Sequence, residues 1–361
     1  MTNPRDPAVA IAACTKAIEL TPEDPTPWFQ RAMHQANAGR LIEAIRDVDK
    51  AIELGLDEPQ VRHFRAQMLE ATGQESEAEL EAVKVVEQAG DTYEAHYNHA
   101  VLAFQRGKYD ESLAAFSQAI ERNPEAAEAY YNRGLCHHMN GTHDAAAQDY
   151  TRTIQLDPRH RHAIKQRALL LQTFKMPKRA EKDWGRLVEL EPGNANARYQ
   201  RARLRVQLGR IEEAVEDFSE AVDLAPDLVD GWFQAGVLHS QLGALDDARE
   251  ELDEAIRLQP DHGPAYAARA LIHLRQSRVE EAIKDCDRAL RADSGLLQAH
   301  VVKGLTLAAC LNNREAEASL SAALEIDPGN RAALSKRAEV RRLLSDYDGA
   351  KADEVTLAEL G

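Results

Sequence analysis

Residues 93–126 read YEAHYNHAVLAFQRGKYDESLAAFSQAIERNPEA, and residues 127–160 read AEAYYNRGLCHHMNGTHDAAAQDYTRTIQLDPRH. Both segments have 34 residues, with a small residue at the eighth place and a proline near the end. The same period continues in both directions without insertion or deletion. Ten units begin at Pro25, Pro59, Tyr93, Ala127, Arg161, Ala195, Val229, Gly263, Leu297 and Arg331. A repeat of this length is typical of a solenoid, in which each unit packs only against its neighbours.

Each unit has the pattern of two helices. Small and large apolar residues recur at the fourth, eighth and eleventh places and again at the twentieth, twenty-fourth and twenty-seventh, which are helical spacings. Glycine at the fifteenth place of six units would end the first helix, and proline often follows the second. Four units depart from the glycine, with Lys175, Ser277, Leu311 and Ser345 in its place. We therefore expect an all-α chain of antiparallel helical hairpins, whose helices approach closely at the small residues.

These patterns resemble the tetratricopeptide repeat family over nearly the whole chain. Residues 119–124 (AIERNP) and 129–134 (AYYNRG) carry the resemblance most clearly. It implies a right-handed superhelical solenoid of stacked hairpins, whose inner face, made mainly by first helices, binds other proteins. We expect residues 1–24 to form a half-unit with one helix and residues 25–330 to form nine gapless units.

The last unit, residues 331–361, differs from the others in polarity. Ser335, Glu339, Arg342 and Glu354 stand where earlier units have aromatic or aliphatic residues. Because a solenoid must replace its apolar stacking face by a polar one where it stops, we predict that this unit is a C-terminal cap.

Charge and cysteine content restrict the partners and the compartment. The 361 residues include 60 Asp and Glu against 44 Lys and Arg, and the net charge of -16 argues against nucleic acid or an anionic membrane surface. The sequence shows neither a secretory signal nor an apolar run long enough to cross a bilayer, so no membrane insertion is expected. Four cysteines without a CxxC pair favour reduced thiols and a cytoplasmic location.

An amide recurs at the sixth place of the first helix, next to an aromatic residue at the fifth. On a helical wheel both places lie opposite the face that contacts the second helix, so they are free to line a groove. A primary amide can donate to and accept from a peptide group whatever the ligand's side chains are. The predicted groove for an extended peptide consists of Phe29, Gln30, Tyr97, Asn98, Tyr131, Asn132, Gln166, Tyr199, Gln200, Phe233 and Gln234.

A structural alternative applies to both residue types. The rings would also serve to fill the seam between hairpins, and the amides would then be ordinary solvated side chains. Ala268 ends the run of amides, which limits the predicted groove to residues 25–262. The amides resemble the asparagine ladder of the O-linked N-acetylglucosamine transferases. The carboxylate clamp by which related co-chaperones hold heat-shock chaperones is disfavoured, because the basic residues that should flank Asn98 or Asn132 are missing.

Arginine at the seventh place coincides with an acid at the twenty-third place. The two places are equally far from the turn, so they stand at the same height in an antiparallel hairpin, and we predict an ion pair within each hairpin. Of three units without the arginine, only the one with Ala235 keeps the acid, Glu251. The seven predicted pairs are Arg31 with Asp47, Arg65 with Glu81, Arg133 with Asp149, Arg167 with Asp183, Arg201 with Asp217, Arg269 with Asp285, and Arg337 with Asp353.

Neither metal nor catalytic chemistry is indicated. Cys136, His137, His138 and His143 are close in sequence, but on a helix His137 and His138 point about 100° apart, and we predict no metal or cofactor. The chain has neither a Gly-rich phosphate loop nor a nucleophile elbow. We predict a non-enzymatic scaffold or adaptor that binds an extended segment of another protein. The alternative is a substrate-recruiting or regulatory arm of an enzyme, for example glycosyltransferase-like, whose catalytic domain lies outside this chain.

Overall fold

The computed structural model describes residues 7–360, except for the side chains of residues 79, 82 and 85–89. Within that range all regular secondary structure is α-helical. The helices are α1 (Pro7–Leu20), α2 (Pro25–Asn37), α3 (Leu41–Glu53), α4 (Pro59–Ala71), α5 (Glu75–Ala89), α6 (Tyr93–Gln105), α7 (Tyr109–Arg122), α8 (Ala127–Met139), α9 (His143–Leu156), α10 (Arg161–Thr173), α11 (Pro177–Leu190), α12 (Ala195–Gln207), α13 (Ile211–Leu224), α14 (Val229–Leu242), α15 (Leu245–Leu258), α16 (Gly263–Arg275), α17 (Val279–Ala292), α18 (Leu297–Ala309), α19 (Asn313–Ile326), α20 (Arg331–Leu343) and α21 (Tyr347–Glu359). Residues 1–6 of the predicted half-unit lie outside the described range.

The chain forms two compact units, residues 1–170 and 171–361. In each of them, consecutive helices pair into hairpins, and each hairpin packs against the next one along the chain. The predicted all-α class and its antiparallel hairpins are therefore confirmed. In every hairpin the even-numbered helix comes first, and α1 packs against α2.

The close approach of the two helices depends on the small residue at the eighth place. A Cβ added to Gly134 would lie 2.7 Å from Cε1 of Tyr150, and one added to Gly304 would lie 2.5 Å from Cγ of Leu320. Tyr150 and Leu320 both occupy the twenty-fourth place of their units and are fully buried. A small residue on the first helix thus makes room for a large one on the second, and together they form the core of the hairpin.

A left-handed residue ends the first helix in the turn of each hairpin. The predicted glycines adopt positive φ, as at Gly141 with 72°. Lys175, Ser277, Leu311 and Ser345 adopt the same conformation, with φ between 55° and 65°. The turn therefore fixes this conformation whether or not glycine is present, and the four side chains carry the strain that glycine avoids.

The predicted ion pairs within hairpins are observed in six of the seven cases. Arg31 binds Asp47 with Nε–Oδ2 and Nη2–Oδ1 distances of 2.6 and 2.7 Å, a two-pronged contact. Arg65 Nη1 lies 3.2 Å from Oε1 of Glu81. The other four observed pairs are Arg133 with Asp149, Arg201 with Asp217, Arg269 with Asp285, and Arg337 with Asp353. The pair of Arg167 with Asp183 would join the two compact units and stays a prediction.

Five of these six guanidinium groups also contact the helix that precedes their hairpin. Arg133 Nη1 donates to Ser117 Oγ at 3.1 Å, and Arg337 Nη1 donates to Ser321 Oγ at 3.0 Å. Each acceptor lies sixteen residues before its arginine, as each partner acid lies sixteen residues after it. Equivalent contacts join Arg31 to Thr15, Arg65 to Asp49, Arg167 to Thr151, and Arg269 to Asp253. The arginine is therefore shared between two neighbouring hairpins.

The last hairpin presents the polar residues noted in the sequence. Ser335 and Glu339 are exposed on α20, and Arg342 pairs with Glu354 of α21. Its function as a cap stays a prediction.

Candidate functional site

The aromatic residues at the fifth place lie half-buried between helices. Phe29 contacts Phe64 of the next hairpin edge to face, with ring centroids 5.5 Å apart. Tyr199 contacts Phe218 of its own hairpin in the same manner at 5.5 Å. These rings stabilise the packing of helices and keep part of their surface accessible on the first helix. Both predicted uses of the rings, packing and ligand contact, are compatible with this position.

Two histidines complete the aromatic seams. His160 and His262 each occupy the last place of a unit, and their rings lie 4.7 Å from Tyr131 and 5.0 Å from Phe233. Each Nδ1 accepts a hydrogen bond from the backbone of the following helix, His160 from Ala163 at 3.1 Å. His262 accepts in the same way at 3.0 Å. Sequence reasoning missed these contacts, although the identical place of the two histidines in the repeat was a usable signal.

The tyrosine hydroxyls at the fifth place are neutral. Burial raises the pKa of Tyr97, Tyr131 and Tyr199 above the ordinary value for a phenol. Each hydroxyl can therefore both donate and accept a hydrogen bond at physiological pH.

The amides at the sixth place directly follow the fifth place along the first helices. Asn132 Nδ2 donates to the hydroxyl of Tyr97, in the preceding hairpin, at 2.8 Å. Gln200 Nε2 lies 3.5 Å from Oδ1 of Asn196, one turn earlier on α12. Gln30 and Asn98 are exposed, whereas the other four amides, Asn132, Gln166, Gln200 and Gln234, are half-buried. Residues 1–170 contain four of the six amides, and residues 171–361 contain Gln200 and Gln234.

The four residues considered as metal ligands have other neighbours. Cys136 is buried with its Sγ 3.1 Å from Ser112 Oγ, and His137 Nδ1 lies 2.9 Å from Thr142 Oγ1. His138 and His143 contact each other, with ring centroids 5.2 Å apart. Over the described part of the chain, no cluster of three or more His, Cys, Asp or Glu side chains is arranged to hold a metal ion. No helix between residues 7 and 360 has the length and apolarity needed to cross a membrane.

Stacked hairpins of this kind define a helical-repeat protein. A tetratricopeptide repeat profile matches residues 97–160 and 233–296, and a second TPR repeat profile matches residues 202–243. These matches, together with the stacked hairpins, show a tetratricopeptide repeat protein. Members of this family generally act as protein-interaction scaffolds, so this chain is a scaffold of that kind.

Solved structures of other repeat proteins are similar to parts of the chain. YrrB, described as a TPR protein with an unusual peptide-binding site, is 26% identical over 52% of this chain and 96% of its own, with a TM-score of 0.47. The C-terminal part of a TPR repeat-containing protein from Cytophaga hutchinsonii is 13% identical over 66% of this chain and 98% of its own, with a TM-score of 0.52. The latter likeness shows the shared fold. A comparison with curated protein sequences found no match.

Proposed function

We propose that this protein is a non-enzymatic adaptor that binds an extended segment of a partner protein along the amide-bearing face of its first helices. The amides would bond the peptide groups of the ligand, and the neighbouring rings would contact its side chains. The observation that supports this most directly is the recurrence of an amide beside a half-buried ring at the same place of five hairpins.

The hydrogen bond from Asn132 to Tyr97 supports a preorganised site. It orients the amide without using the amide oxygen, which a ligand N–H could then approach. Holding a side chain in place before binding reduces the conformational entropy that the complex loses. The groove residues are uncharged at neutral pH, so binding should change little with ionic strength.

Photocrosslinking would identify the partner. p-Benzoylphenylalanine introduced at the exposed position Asn98 should capture a protein from cells of the source organism, and mass spectrometry would name it. A crosslinked segment that lies in an extended, unstructured part of the partner is the expected result.

Binding would then be measured with the triple variant Asn98→Ala, Asn132→Ala and Gln166→Ala, all within residues 1–170. Each lost amide contact should cost about 1 kcal/mol, so affinity should fall roughly a hundredfold. The matched control replaces Gln118, Gln148 and Gln155, exposed amides of the second helices α7 and α9, by alanine. Equal affinity of the folded triple variant and the parent would contradict the proposal.

We also propose a cytoplasmic location. All four cysteines are free thiols, which is the usual state in a reducing compartment. Subcellular fractionation of the source cells would test this, with recovery in an exported fraction as the contrary result.

A further inference from the structure

The hairpin of α14 and α15 has an aromatic ring at the fourth place but lacks the arginine at the seventh. In three other hairpins, the arginine at the seventh place lies over the aromatic ring at the fourth place. Arg31 lies 5.0 Å from the ring centre of Trp28, and Arg269 lies 5.4 Å from that of Tyr266. In this hairpin, Ala235 stands at the seventh place and supplies no cation.

The partners of the missing guanidinium are all retained. Trp232 stands at the fourth place, and its Nε1 donates to the Pro226 carbonyl at 3.0 Å, as Trp28 Nε1 does to that of Pro22 at 3.2 Å. Glu251 stands at the twenty-third place and is buried. Ser219 stands where Ser117 accepts from the arginine of another hairpin. The surroundings of a guanidinium thus remain in a hairpin that lacks one.

Ala235 itself is buried, but a cleft open to solvent lies beside the ring and the acid that an arginine would contact. The cleft has a volume of about 450 Å³ and is lined by Trp232, His239, Asp247, Glu250, Glu251 and Glu254. Arg257 already pairs with Glu254, whereas His239 Nδ1 lies 2.7 Å from Oε2 of Glu251. The other two acids, Asp247 and Glu250, leave the lining with a net negative charge when His239 is neutral.

Two other hairpins have a histidine at the eleventh place, where His239 stands in its own. In both of them the arginine keeps its partner acid, and the histidine lies farther from that acid. His273 coexists with the Arg269–Asp285 pair, 3.6 Å from the carboxylate, and His137 lies 3.9 Å from Asp149 in the same way. The shorter contact of His239 therefore accompanies the absence of the guanidinium. The other two units without arginine have lost the acid as well, with Ala115 beside His99 and Ser319 beside Lys303.

We propose that this cleft binds the guanidinium group of an arginine side chain from a partner protein. The guanidinium would lie on the face of Trp232 and pair with Glu251, as Arg269 lies on Tyr266 and pairs with Asp285 in the next hairpin. The site is separate from the amide-bearing face, because its residues occupy the places that join the two helices of one hairpin.

The experiment is an NMR titration of the full chain with N-acetyl-arginine methylamide, observed at the indole N–H of Trp232 and assigned with Trp232→Phe. We expect saturable binding with a Kd of about 1 mM, which a single buried contact of this kind can supply. The uncharged analogue, N-acetyl-citrulline methylamide, should bind at least about tenfold more weakly, because it has the shape without the charge. Equal binding of the two analogues would overturn the proposal.

The matched variant is Ala235→Arg, which recreates the arrangement of the hairpin of α16 and α17. It should fold with an unchanged or higher melting temperature and should lose the titration, since its own side chain fills the cleft. Retained binding in this folded variant would overturn the proposal. Should Ala235→Arg fail to fold, Glu251→Gln serves instead, with an expected loss of at least about tenfold in affinity. Unchanged affinity there would overturn it equally.

The source of the guanidinium is distinguished by two further ligands. A capped Gly-Gly-Arg-Gly-Gly peptide should bind at least as tightly as the capped amino acid. Free L-arginine should bind more weakly, because its carboxylate approaches the acids of the cleft. Tighter binding of free arginine than of the peptide would overturn the assignment to a partner protein in favour of a small guanidino compound.

Discussion

The side-chain amide of Asn132 in α8 donates a hydrogen bond to the hydroxyl of Tyr97 in α6, across the seam between two hairpins. We expect Tyr97→Phe and Asn132→Ala each to lower the free energy of unfolding, with a coupling of about 1 kcal/mol in a double-mutant cycle measured by urea denaturation. Asn98→Ala, at the equivalent but exposed place, should change stability by less than about 0.5 kcal/mol. Additive effects of the two substitutions would show that the hydrogen bond contributes nothing.

The Arg269–Asp285 pair should be important for stability. Asp285 is buried and receives two hydrogen bonds from the guanidinium, at 2.7 and 2.8 Å. Asp285→Asn should cost about 3 kcal/mol, because it removes the buried counter-charge of the guanidinium and leaves only the more exposed contact with Asp253. The control is Asp287→Asn, which breaks the more exposed contact with Lys303 and should cost less than about 1 kcal/mol. Equal losses in urea unfolding would be contrary to this expectation.

Glu251 occupies the twenty-third place of its hairpin, as Asp285 does. Unlike Asp285, it should not lower stability when it is replaced by a neutral side chain. Burial raises the pKa of its carboxyl, although the hydrogen bond with His239 acts the other way. A raised folded-state pKa means that the charged form costs stability above that pKa, and that this cost disappears as pH falls through it. Glu251→Gln should therefore be at least as stable as the parent at pH 7, with the difference shrinking toward acid pH.

Thermal unfolding of this variant between about pH 4 and 8 would check the sign. The control is Glu250→Gln, an exposed neighbour on α15. A glutamine variant that is clearly less stable than the parent at neutral pH would mean that the contact with His239 outweighs the desolvation of the carboxylate.

Replacement of Leu311 by glycine should stabilise the protein. Its φ of 62° is in the left-handed region, which costs a branched side chain about 1–2 kcal/mol, and its side chain is exposed. Leu311→Gly removes this strain but adds conformational freedom to the unfolded chain, so we expect a net gain of about 0.5–1 kcal/mol. The reverse control, Gly141→Leu, should lose a similar amount. Thermal denaturation would measure both, and a destabilised glycine variant would contradict the strain.

Removal of residues 331–361 should cause aggregation. The deletion would expose apolar residues of the core that α19 shares with α20, such as Leu324. Light scattering of the truncated chain beside the parent would show it. A truncated chain that stays monomeric with equal stability would mean that the last hairpin does not act as a cap.

The sequence was sufficient for the hairpins and for the pairing of residues within them. Arg31 and Asp47 are equally far in sequence from the turn at Gly39, so the turn brings them to the same height in the hairpin. Contacts between hairpins were harder to predict, because they depend on how far one hairpin is displaced along the next. The contact of Tyr131 with His160, which directly precedes α10, and the second contact of Arg133, with Ser117, both depend on that displacement.

The candidate sites show the same limit. The recurrence of the amides can be seen in the sequence. The hydrogen bond between Asn132 and Tyr97 cannot be seen there. The loss of arginine at Ala235 was also visible, whereas the cleft beside Trp232 required the positions of both helices of the hairpin.

Each shared arginine affects how readily neighbouring hairpins separate. Because Arg133 contacts Asp149 in its own hairpin and Ser117 in the preceding one, opening of either hairpin breaks one of these contacts. The stabilities of neighbouring hairpins are therefore coupled through their interface. Local opening costs free energy wherever such a contact is broken. At Ala235 the link has no side chain to carry it, and at His99 the imidazole bonds Glu111 of its own hairpin. These two joints lack the arginine contact, so we expect fluctuations that separate one hairpin from the next to be favoured there.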